Sequence, residues 1–329
     1  MMRAAWYERK GPAREVLEVG EMPVPEAGPG ELRVRLAASG VNPADVKLRA
    51  GVSDYGFQFP RVIPNSDGAG TVDQAGAGVD PAWVGRRIWL YNGQRLGRAF
   101  GTAAEYIALD AGLVHALPDE LGFAEGATLG IPAMTAHRCI FADGSVAGKA
   151  VLVTGGAGAV GHYAVQLAAW GGARVLATVS GEAKAAHALA GGADAAINYR
   201  QEDVAARVRE LTGGEGVDRI VEVDFGGNLA AAMGALKRNG AVAIYASDGN
   251  ANPEIDVRAL MGLNATLHFV VLNSIPLEAR RQAQRDVTRW AAGAGRLFPV
   301  AARFPLDEIV AAHELVESPG KLGTVVVEP

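Results

Sequence analysis

Cysteine is the scarcest residue of this sequence, because only Cys139 occurs among 329 residues. A single thiol excludes an internal disulfide and any metal site built from several cysteines. It also fits a reducing compartment. The histidines are scattered without the spacing of metal ligands, at His115, His137, His162, His187, His268 and His313.

Long apolar runs and basic clusters are also missing. No apolar stretch reaches the roughly 18 residues of a membrane-spanning helix, and the opening MMRAAWYERKG lacks the apolar core of an export signal. Lys and Arg number 31 against 36 Asp and Glu, a net charge of −5. An acidic chain without basic clusters is poorly suited to neutralise nucleic-acid phosphates. We therefore expect a cytoplasmic globular protein that binds neither membrane nor nucleic acid.

The residues that are present predict two domains of different style. The chain is 49% hydrophobic and 20% charged, which suffices for a sizeable core. Short β-like runs at 32–40, 86–91 and 103–109, separated by Gly and Pro, predict a small barrel or sandwich over the first ~120 residues. From about residue 124, strands and helices alternate, which predicts an α/β fold with a doubly wound parallel sheet. The last segment, 298–329, has a strand–helix–strand pattern.

A glycine motif follows the strand-like AVLVT. Gly156, Gly158 and Gly161 match G-x-G-x-x-G, and a helical pattern begins at Ala159 and Val160. Small residues let the backbone approach a pyrophosphate, and the N-terminus of a helix offers N–H groups and a partial positive charge. The context of strand, glycine turn and helix favours a dinucleotide site over a plain strand–helix turn.

The end of the next strand indicates which dinucleotide binds. An NAD site usually has Asp or Glu there, but this strand ends with Ser180 and no acid, while Glu182 suits the first turn of the following helix. Lys184 and Tyr199, with the Ser180 hydroxyl, are suited to a 2′-phosphate. The sequence therefore favours NADPH over NADH, although Lys184 as a solvated helix residue is the alternative.

Seven segments in order carry a family resemblance: 30–51, 63–72, 129–140, 151–168, 191–200, 240–247 and 311–327. Through them, nearly the whole chain resembles the medium-chain dehydrogenase/reductase superfamily. Within that superfamily it is similar to the quinone oxidoreductases, also called ζ-crystallin-like proteins. The resemblance implies a GroES-like β-rich catalytic domain of residues 1–123 and 298–329. It also implies a Rossmann NADP(H)-binding domain of residues 124–297, with substrate in the cleft.

The resemblance also implies roles at the cofactor. In the family the nicotinamide carboxamide is typically held by backbone after the last Rossmann strand, which corresponds here to Phe269 and Val271. The loop of Ala246 and Ser247 is expected beside the cofactor. Lys184 and Tyr199 fall where NADPH-preferring members place 2′-phosphate ligands, in agreement with the residues themselves.

Zinc-dependent members of the superfamily have a Cys after the third strand, a His-Glu pair before GAG and a further Cys. Here Asn42 stands at the first position and Ser66-Asp67 replaces the pair, while Cys139 is expected in the core. Zinc needs three or four converging ligands, so we expect no catalytic or structural metal. PNSDGAG (64–70) is then a turn into a strand over 68–73, with Asp67 a structural acid.

Lack of a metal narrows the reaction. An electron-poor acceptor, a quinone or an α,β-unsaturated carbonyl, needs mainly alignment with the nicotinamide and a hydrogen-bond donor at its oxygen. Asn42 is a candidate donor, or else the cap of the helix starting at Pro43. Thr135 matches a family position beside the nicotinamide, or is a helix Thr bonded to its own backbone. Tyr55 is expected at the mouth or as a solvated loop residue. Lys47 replaces a Tyr of many quinone reductases, so it either contacts an anionic oxygen or is a surface lysine.

These expectations converge on a zinc-independent, NADPH-dependent quinone oxidoreductase. An enal or enone reductase is the alternative, and a non-catalytic crystallin-like or RNA-binding protein is a third candidate, which the acidic balance and the glycine motif disfavour. Family relatives are often dimers that join Rossmann sheets edge to edge, so a homodimer with an edge near 265–271 is expected.

Overall fold

The computed structural model describes residues 1–52, 59–95 and 97–329. Its strands are β1 (Met2–Trp6), β2 (Glu18–Met22), β3 (Glu31–Val41), β4 (Asp67–Ala75), β5 (Arg87–Leu90), β6 (Tyr106–Asp110), β7 (Val114–Ala116), β8 (Ala150–Val153), β9 (Arg174–Val179), β10 (Ala195–Asn198), β11 (Val217–Glu222), β12 (Leu236–Ile244), β13 (Thr266–Phe269), β14 (Val300–Pro305) and β15 (Thr324–Glu328). Its helices are α1 (Ala13–Val16), α2 (Pro43–Ala50), α3 (Phe123–Gly126), α4 (Met134–Phe141), α5 (Ala159–Trp170), α6 (Glu182–Ala190), α7 (Val204–Leu211), α8 (Phe225–Ala235), α9 (Val257–Leu263), α10 (Leu277–Ala291) and α11 (Ile309–Glu317).

The chain divides into two compact units, Met1–Pro132 with Phe298–Pro329, and Ala133–Leu297. The first crossing lies nine residues beyond the predicted 123/124 boundary, while the second lies at the predicted 297/298. The difference arises because α3 packs on the first unit, where Ala124 and Ala127 join Ala38 and Ala69 in one apolar cluster. A short apolar helix cannot be assigned to one side from its own sequence.

The first unit is β-rich. Its seven-stranded sheet runs β14-β15-β3-β4-β5-β7, with β6 also paired to β3, and β1 pairs β2 separately. The long strand β3 alternates as a half-buried strand should, with Leu32, Val34 and Leu36 buried. The C-terminal segment completes this unit, since β15 pairs antiparallel with β3 and α11 packs into the same core as β15. The expected GroES-like β-rich domain is confirmed.

The second unit is a six-stranded sheet of order β10-β9-β8-β11-β12-β13, with every neighbouring pair parallel. Its strands are nearly continuous apolar runs because helices cover both faces, and the three residues Val151–Val153 are all buried. Strand order reverses between β8 and β11, the point at which such sheets bind ligands beyond their carboxyl ends. The expected doubly wound parallel sheet is confirmed.

Two local features are set by burial and by proline. Helix α8 ends at Ala235, because Leu236 is fully buried and already pairs with Val217 as the first residue of β12. The segment around Pro132 forms α3, a π-helical turn over Leu129–Ala133 and then α4. Among the helices in the described ranges, none is long and apolar enough to cross a membrane.

Candidate functional site

The glycine loop of the second unit lies between β8 and α5. Gly155 has a left-handed φ of 62° and its carbonyl accepts the Gly158 N–H at 2.9 Å. A Cβ at Gly161 would lie 2.2 Å from the Gly155 oxygen, and one at Gly156 would lie 2.7 Å from the Ala177 Cβ. Only glycine fits these two positions, so the loop has the tight turn and close helix–strand packing of a dinucleotide site.

Helix α5 points its N-terminus at this loop. Gly158 caps it in extended conformation, and its first turn consists of Ala159, Val160 and Gly161, which are uncharged. First-turn N–H groups have no acceptor within their own helix, and the helix dipole favours an anion there. With the glycine loop, these residues fit the pyrophosphate of a dinucleotide.

Ser180 and Tyr199 follow two neighbouring strands, and Lys184 lies in the helix that comes after the first of them. Ser180 follows β9 and Tyr199 follows β10, and the Tyr199 N–H donates to the Val179 carbonyl at 3.1 Å. Lys184 lies in the first turn of α6, which Glu182 begins, as the sequence predicts. Tyr199 is half exposed. Two hydroxyls and one ammonium group are therefore available at this edge of the sheet, in a position suited to a phosphate.

Ala246 and Ser247 follow β12 and are fastened to the start of α8. The Ala246 carbonyl accepts the Phe225 N–H at 3.1 Å. The Ser247 hydroxyl accepts the Gly226 N–H at 2.9 Å and donates to the Asn250 carbonyl at 2.6 Å. The Ser247 side chain thus stabilises the loop, and one lone pair of its hydroxyl can still accept a further hydrogen bond.

Phe269 and Val271 lie at the end of the edge strand β13. The Phe269 side chain is 71% exposed and contacts Phe225 edge to face, at 6.5 Å between ring centroids. Between them, the Val270 N–H donates to the Ile244 carbonyl at 2.7 Å. The backbone here is anchored to β12.

Glu222, at the end of β11, is a buried acid that the sequence reasoning missed. One carboxylate oxygen accepts from the Thr154 hydroxyl at 2.9 Å, from Asn228 Nδ2 at 2.8 Å and from the Asp224 N–H at 2.7 Å. Burial raises the pKa of Glu222. It lies where strand order reverses, beside the glycine loop. The sequence signal that could have identified Glu222 is an acidic residue at the end of an apolar strand.

In the first unit, Asn42 stands at the capping position that the sequence offers as one of its two alternatives. It precedes α2 in the capping position, and its backbone N–H donates to the Asp45 carboxylate at 2.8 Å. Its side-chain Nδ2 donates to Asp67 Oδ2 at 2.7 Å. An amide nitrogen carries two hydrogens. One hydrogen of Asn42 Nδ2 is therefore used in the bond to Asp67, and the other can be donated to a different acceptor.

Asp67 begins β4 and is fully buried. Both of its carboxyl oxygens lie 2.9 Å from the Ile131 nitrogen, which donates to them. Gly130 makes this possible with a non-helical ψ of −109°, and a Cβ there would lie 2.1 Å from Asp67 Oδ1. Burial raises the pKa of Asp67 well above its usual range, against the effect of the Asn42 hydrogen bond. PNSDGAG is therefore the start of a strand whose acid fastens the π-helical turn.

A series of buried, hydrogen-bonded polar groups ends at the backbone carbonyl of Asp67. The Thr102 hydroxyl donates to the Asp67 carbonyl at 2.7 Å and lies 2.7 Å from the Ser39 hydroxyl. Asn65 Nδ2 donates to Ser39 at 3.0 Å, and Asn65 Oδ1 lies 3.1 Å from His313 Nε2. An amide oxygen only accepts, so His313 carries its proton on Nε2. The hydrogen bonds then run in one direction from His313 to Asp67, a network that sequence reasoning missed.

The Ser66 hydroxyl is also used in a hydrogen bond within the protein. Its hydroxyl donates to Asp45 Oδ1 at 2.8 Å, and Arg95 Nη2 pairs with the same oxygen at 2.9 Å. Within residues 1–52, 59–95 and 97–329, no three His, Cys, Asp or Glu side chains are grouped so that they could hold a metal ion.

The other candidates belong to separate elements of the chain. Lys47 lies half-buried in the last turn of α2, and its carbonyl accepts the Val52 N–H at 3.0 Å. Thr135 is a buried residue of α4, in the other unit. Tyr55 lies outside the described residues. Cys139 is confirmed as a core residue because it is fully buried, and this burial raises the pKa of its thiol to about 12.

Comparison with known proteins agrees with this geometry. The family model of the alcohol dehydrogenase GroES-like domain matches residues 28–119, and that of the zinc-binding dehydrogenase matches residues 159–290. The human quinone oxidoreductase is 30% identical over 99% of this chain and 98% of its own length. A 2-haloacrylate reductase of a Burkholderia species is 31% identical over 100% and 99%. A mycobacterial protein solved in complex with NADPH superposes with a TM-score of 0.86 at 28% identity, covering 100% of both chains.

Proposed function

The chain belongs to the quinone oxidoreductase family of the medium-chain dehydrogenase/reductase superfamily. On that premise we propose that it is an NADPH-dependent, zinc-independent reductase that transfers hydride to a quinone. The observation that carries the proposal is the glycine loop at the point where strand order reverses, combined with Ser180, Lys184 and Tyr199 at the adjacent strand ends. Related proteins solved with NADPH support the choice of cofactor.

The proposed roles at the cofactor follow from the geometry. Gly156 to Gly161 and the first turn of α5 would hold the pyrophosphate. Lys184 and the hydroxyls of Ser180 and Tyr199 would hold the 2′-phosphate through charge-assisted hydrogen bonds. Backbone groups around Phe269 and Val271 would orient the carboxamide of the nicotinamide. When bound, NADPH supplies the hydride from C4 of that ring.

Zinc independence is supported by the donor set. At the positions of the zinc ligands, Asn42 offers an amide N–H that donates to Asp67, and Asp67 is occupied by the Ile131 N–H. Ser66 donates to Asp45. An amide donor and a hydroxyl are weak zinc ligands compared with thiolate and imidazole. An elemental scan of the purified protein for zinc, together with an assay after chelation, tests this point: zinc at one equivalent per chain and activity lost on chelation would contradict it.

The acceptor in this proposal is a conjugated carbonyl compound. For such an acceptor, the chain has to place it against the nicotinamide and to donate a hydrogen bond to its oxygen. Asn42 remains a proposed donor through its second amide hydrogen, with Thr135, Lys47 and Tyr55 as further candidates for contact. A cytoplasmic location is part of the same proposal, supported by the single thiol.

Reduction of a carbon–carbon double bond is the second candidate, because the 2-haloacrylate reductase is as similar as the quinone reductases. Steady-state NADPH oxidation with 1,4-benzoquinone, 9,10-phenanthrenequinone and simple enones tests both. A hydroquinone product supports the first candidate, and a saturated carbonyl product supports the second. No NADPH oxidation with any of these acceptors would overturn the proposed function.

A homodimer through the edge of the second unit's sheet is also proposed. Strand β13 is that edge, and large apolar side chains on it and on the preceding helix α9 are exposed: Met261 is 73% exposed, Val257 62% and Phe269 71%. Exposed apolar groups beside an unpaired strand favour pairing with another copy. Light scattering after size exclusion tests this: a dimer mass for the native protein and a monomer mass for Met261→Lys is expected.

A further inference from the structure

Asn92 is a buried polar residue of the first unit whose side chain makes no hydrogen bond with the residues described that would stabilise it there. It follows β5, is fully buried and has a left-handed φ of 58°. Neither Nδ2 nor Oδ1 has a hydrogen-bond partner in the described part of the chain. A buried amide without partners and a left-handed backbone at a residue other than glycine both cost stability. Glycine at this position would remove both costs.

Asn65 provides the contrast. It lies on the facing segment, because β4 and β5 pair antiparallel from Gly68 and Leu90 and the Gly93 N–H donates to the Ser66 carbonyl at 2.8 Å. Asn65 is also buried and has a φ of 71°, but its amide bonds to other side chains at both ends. Hydrogen bonds within the described part of the fold therefore account for an asparagine at position 65, but not for one at position 92.

The neighbouring donors are already in use. Ser66 donates to Asp45, Asn42 donates one hydrogen to Asp67, and Thr102 donates to the Asp67 carbonyl. Among side-chain amides of the first unit within the described ranges, Asn92 alone makes no hydrogen bond. Strained and unpaired groups of this kind are typical of binding sites, where a ligand supplies the missing partner.

We propose that Asn92 binds the conjugated carbonyl acceptor, with Nδ2 donating a hydrogen bond to its carbonyl oxygen. This inference rests on the proposed function. When bound, NADPH would supply the hydride: its C4–H bond would break and NADPH would be oxidised to NADP⁺, while a new C–H bond forms on the acceptor. A π bond of the acceptor would break and its electron pair would move to the oxygen, which solvent then protonates. A donor at that oxygen stabilises the growing charge. The side chain is fully covered in this structure, so neighbouring side chains move when the acceptor binds, as is common at binding sites.

Asn92→Gly tests the proposal because stability and activity should respond differently. Loss of strain and of an unpaired amide offsets the lost packing, so the melting temperature is expected to stay within a few degrees of the native value or to rise. The kcat/KM for 9,10-phenanthrenequinone should fall by about tenfold to a hundredfold, with KM for NADPH unchanged. Asn264→Gly is the matched control, since Asn264 has a φ of 48° in the other unit, and its kcat/KM should not change.

A direct readout separates binding from turnover. In ¹H–¹⁵N spectra, the side-chain NH₂ pair that disappears in Asn92→Gly should shift when hydroquinone is added with NADP⁺. If Asn92→Gly does not fold, Asn92→Asp replaces the donor by an oxygen and should lose kcat/KM in the same way. Native turnover with unchanged kcat/KM in a folded variant and no shift would overturn the role of Asn92 alone. Absence of native turnover with every acceptor would overturn the proposed function itself.

Discussion

Acid should destabilise the second unit through His162, and substitution of this residue by leucine should remove much of the effect. His162 on α5 is fully buried and stacks on His187 of α6, at 4.0 Å between ring centroids. Neither ring nitrogen of His162 has a hydrogen-bond partner among the described residues. Burial, with a smaller effect of His187, lowers the pKa of His162 to about 3. The native state therefore holds this imidazole neutral.

The direction and magnitude of this pH effect on stability follow from the difference between the folded and unfolded pKa of His162. The unfolded chain binds a proton near pH 6.5 and the folded chain only near pH 3, so the stabilisation is present above about pH 6.5 and is lost as pH falls. Between pH 7 and pH 5 the loss is about 2 kcal/mol, from 1.36 kcal/mol for each of about 1.5 pH units below the unfolded pKa. A folded pKa one unit higher would change this little, because it would still lie below pH 5.

Urea unfolding followed by circular dichroism, at pH 7 and pH 5, measures the effect. The difference between the two free energies of unfolding should be about 2 kcal/mol smaller for His162→Leu than for the native protein. Tyr163→Phe is the control on the same helix: it changes a buried ring without a titration near pH 6, so its effect should be equal at both pH values. An unchanged pH dependence in His162→Leu would refute the reasoning.

Three further predictions concern the proposed site. Lys184→Ala should raise KM for NADPH about tenfold or more and hardly change KM for NADH, because it removes a charge-assisted contact; equal effects on both, in initial-rate assays, would contradict the assignment. Gly161→Ala should abolish NADPH binding in fluorescence titration, because its Cβ would lie 2.2 Å from the Gly155 oxygen; native affinity would show that the loop is not the cofactor site. Thr102→Val should lower the free energy of unfolding by about 1–3 kcal/mol, since the buried Asp67 carbonyl loses the hydrogen bond that the Thr102 hydroxyl donates. Thr102→Ser should restore this stability, and no rescue by the serine would contradict a role for the hydroxyl.

The sequence by itself determined the features that depend on neighbours along the chain. Apolar strands alternating with helical patterns indicated a parallel doubly wound sheet, because each pattern reflects burial of one local element. The spacing of Gly156, Gly158 and Gly161 after a strand located the loop, since a tight turn needs small residues at fixed intervals. The strand end at Ser180 without an acid identified the edge near Lys184.

Tertiary structure decided what distant segments do to one another. Asn42 and Asp67 are 25 residues apart and His313 and Asn65 are 248 apart, so no local pattern could show that these pairs bond. The family resemblance implied that Asn42 and Asp67 stand at positions of zinc ligands, but only the fold showed that these two residues bond to each other and that Asp67 bonds to the Ile131 backbone. That the buried amide of Asn92 has no hydrogen-bond partner among the described residues is likewise a property of the fold, because it depends on which groups the fold brings near it. Local periodicity fixes which elements form, whereas hydrogen-bond partners depend on which elements meet.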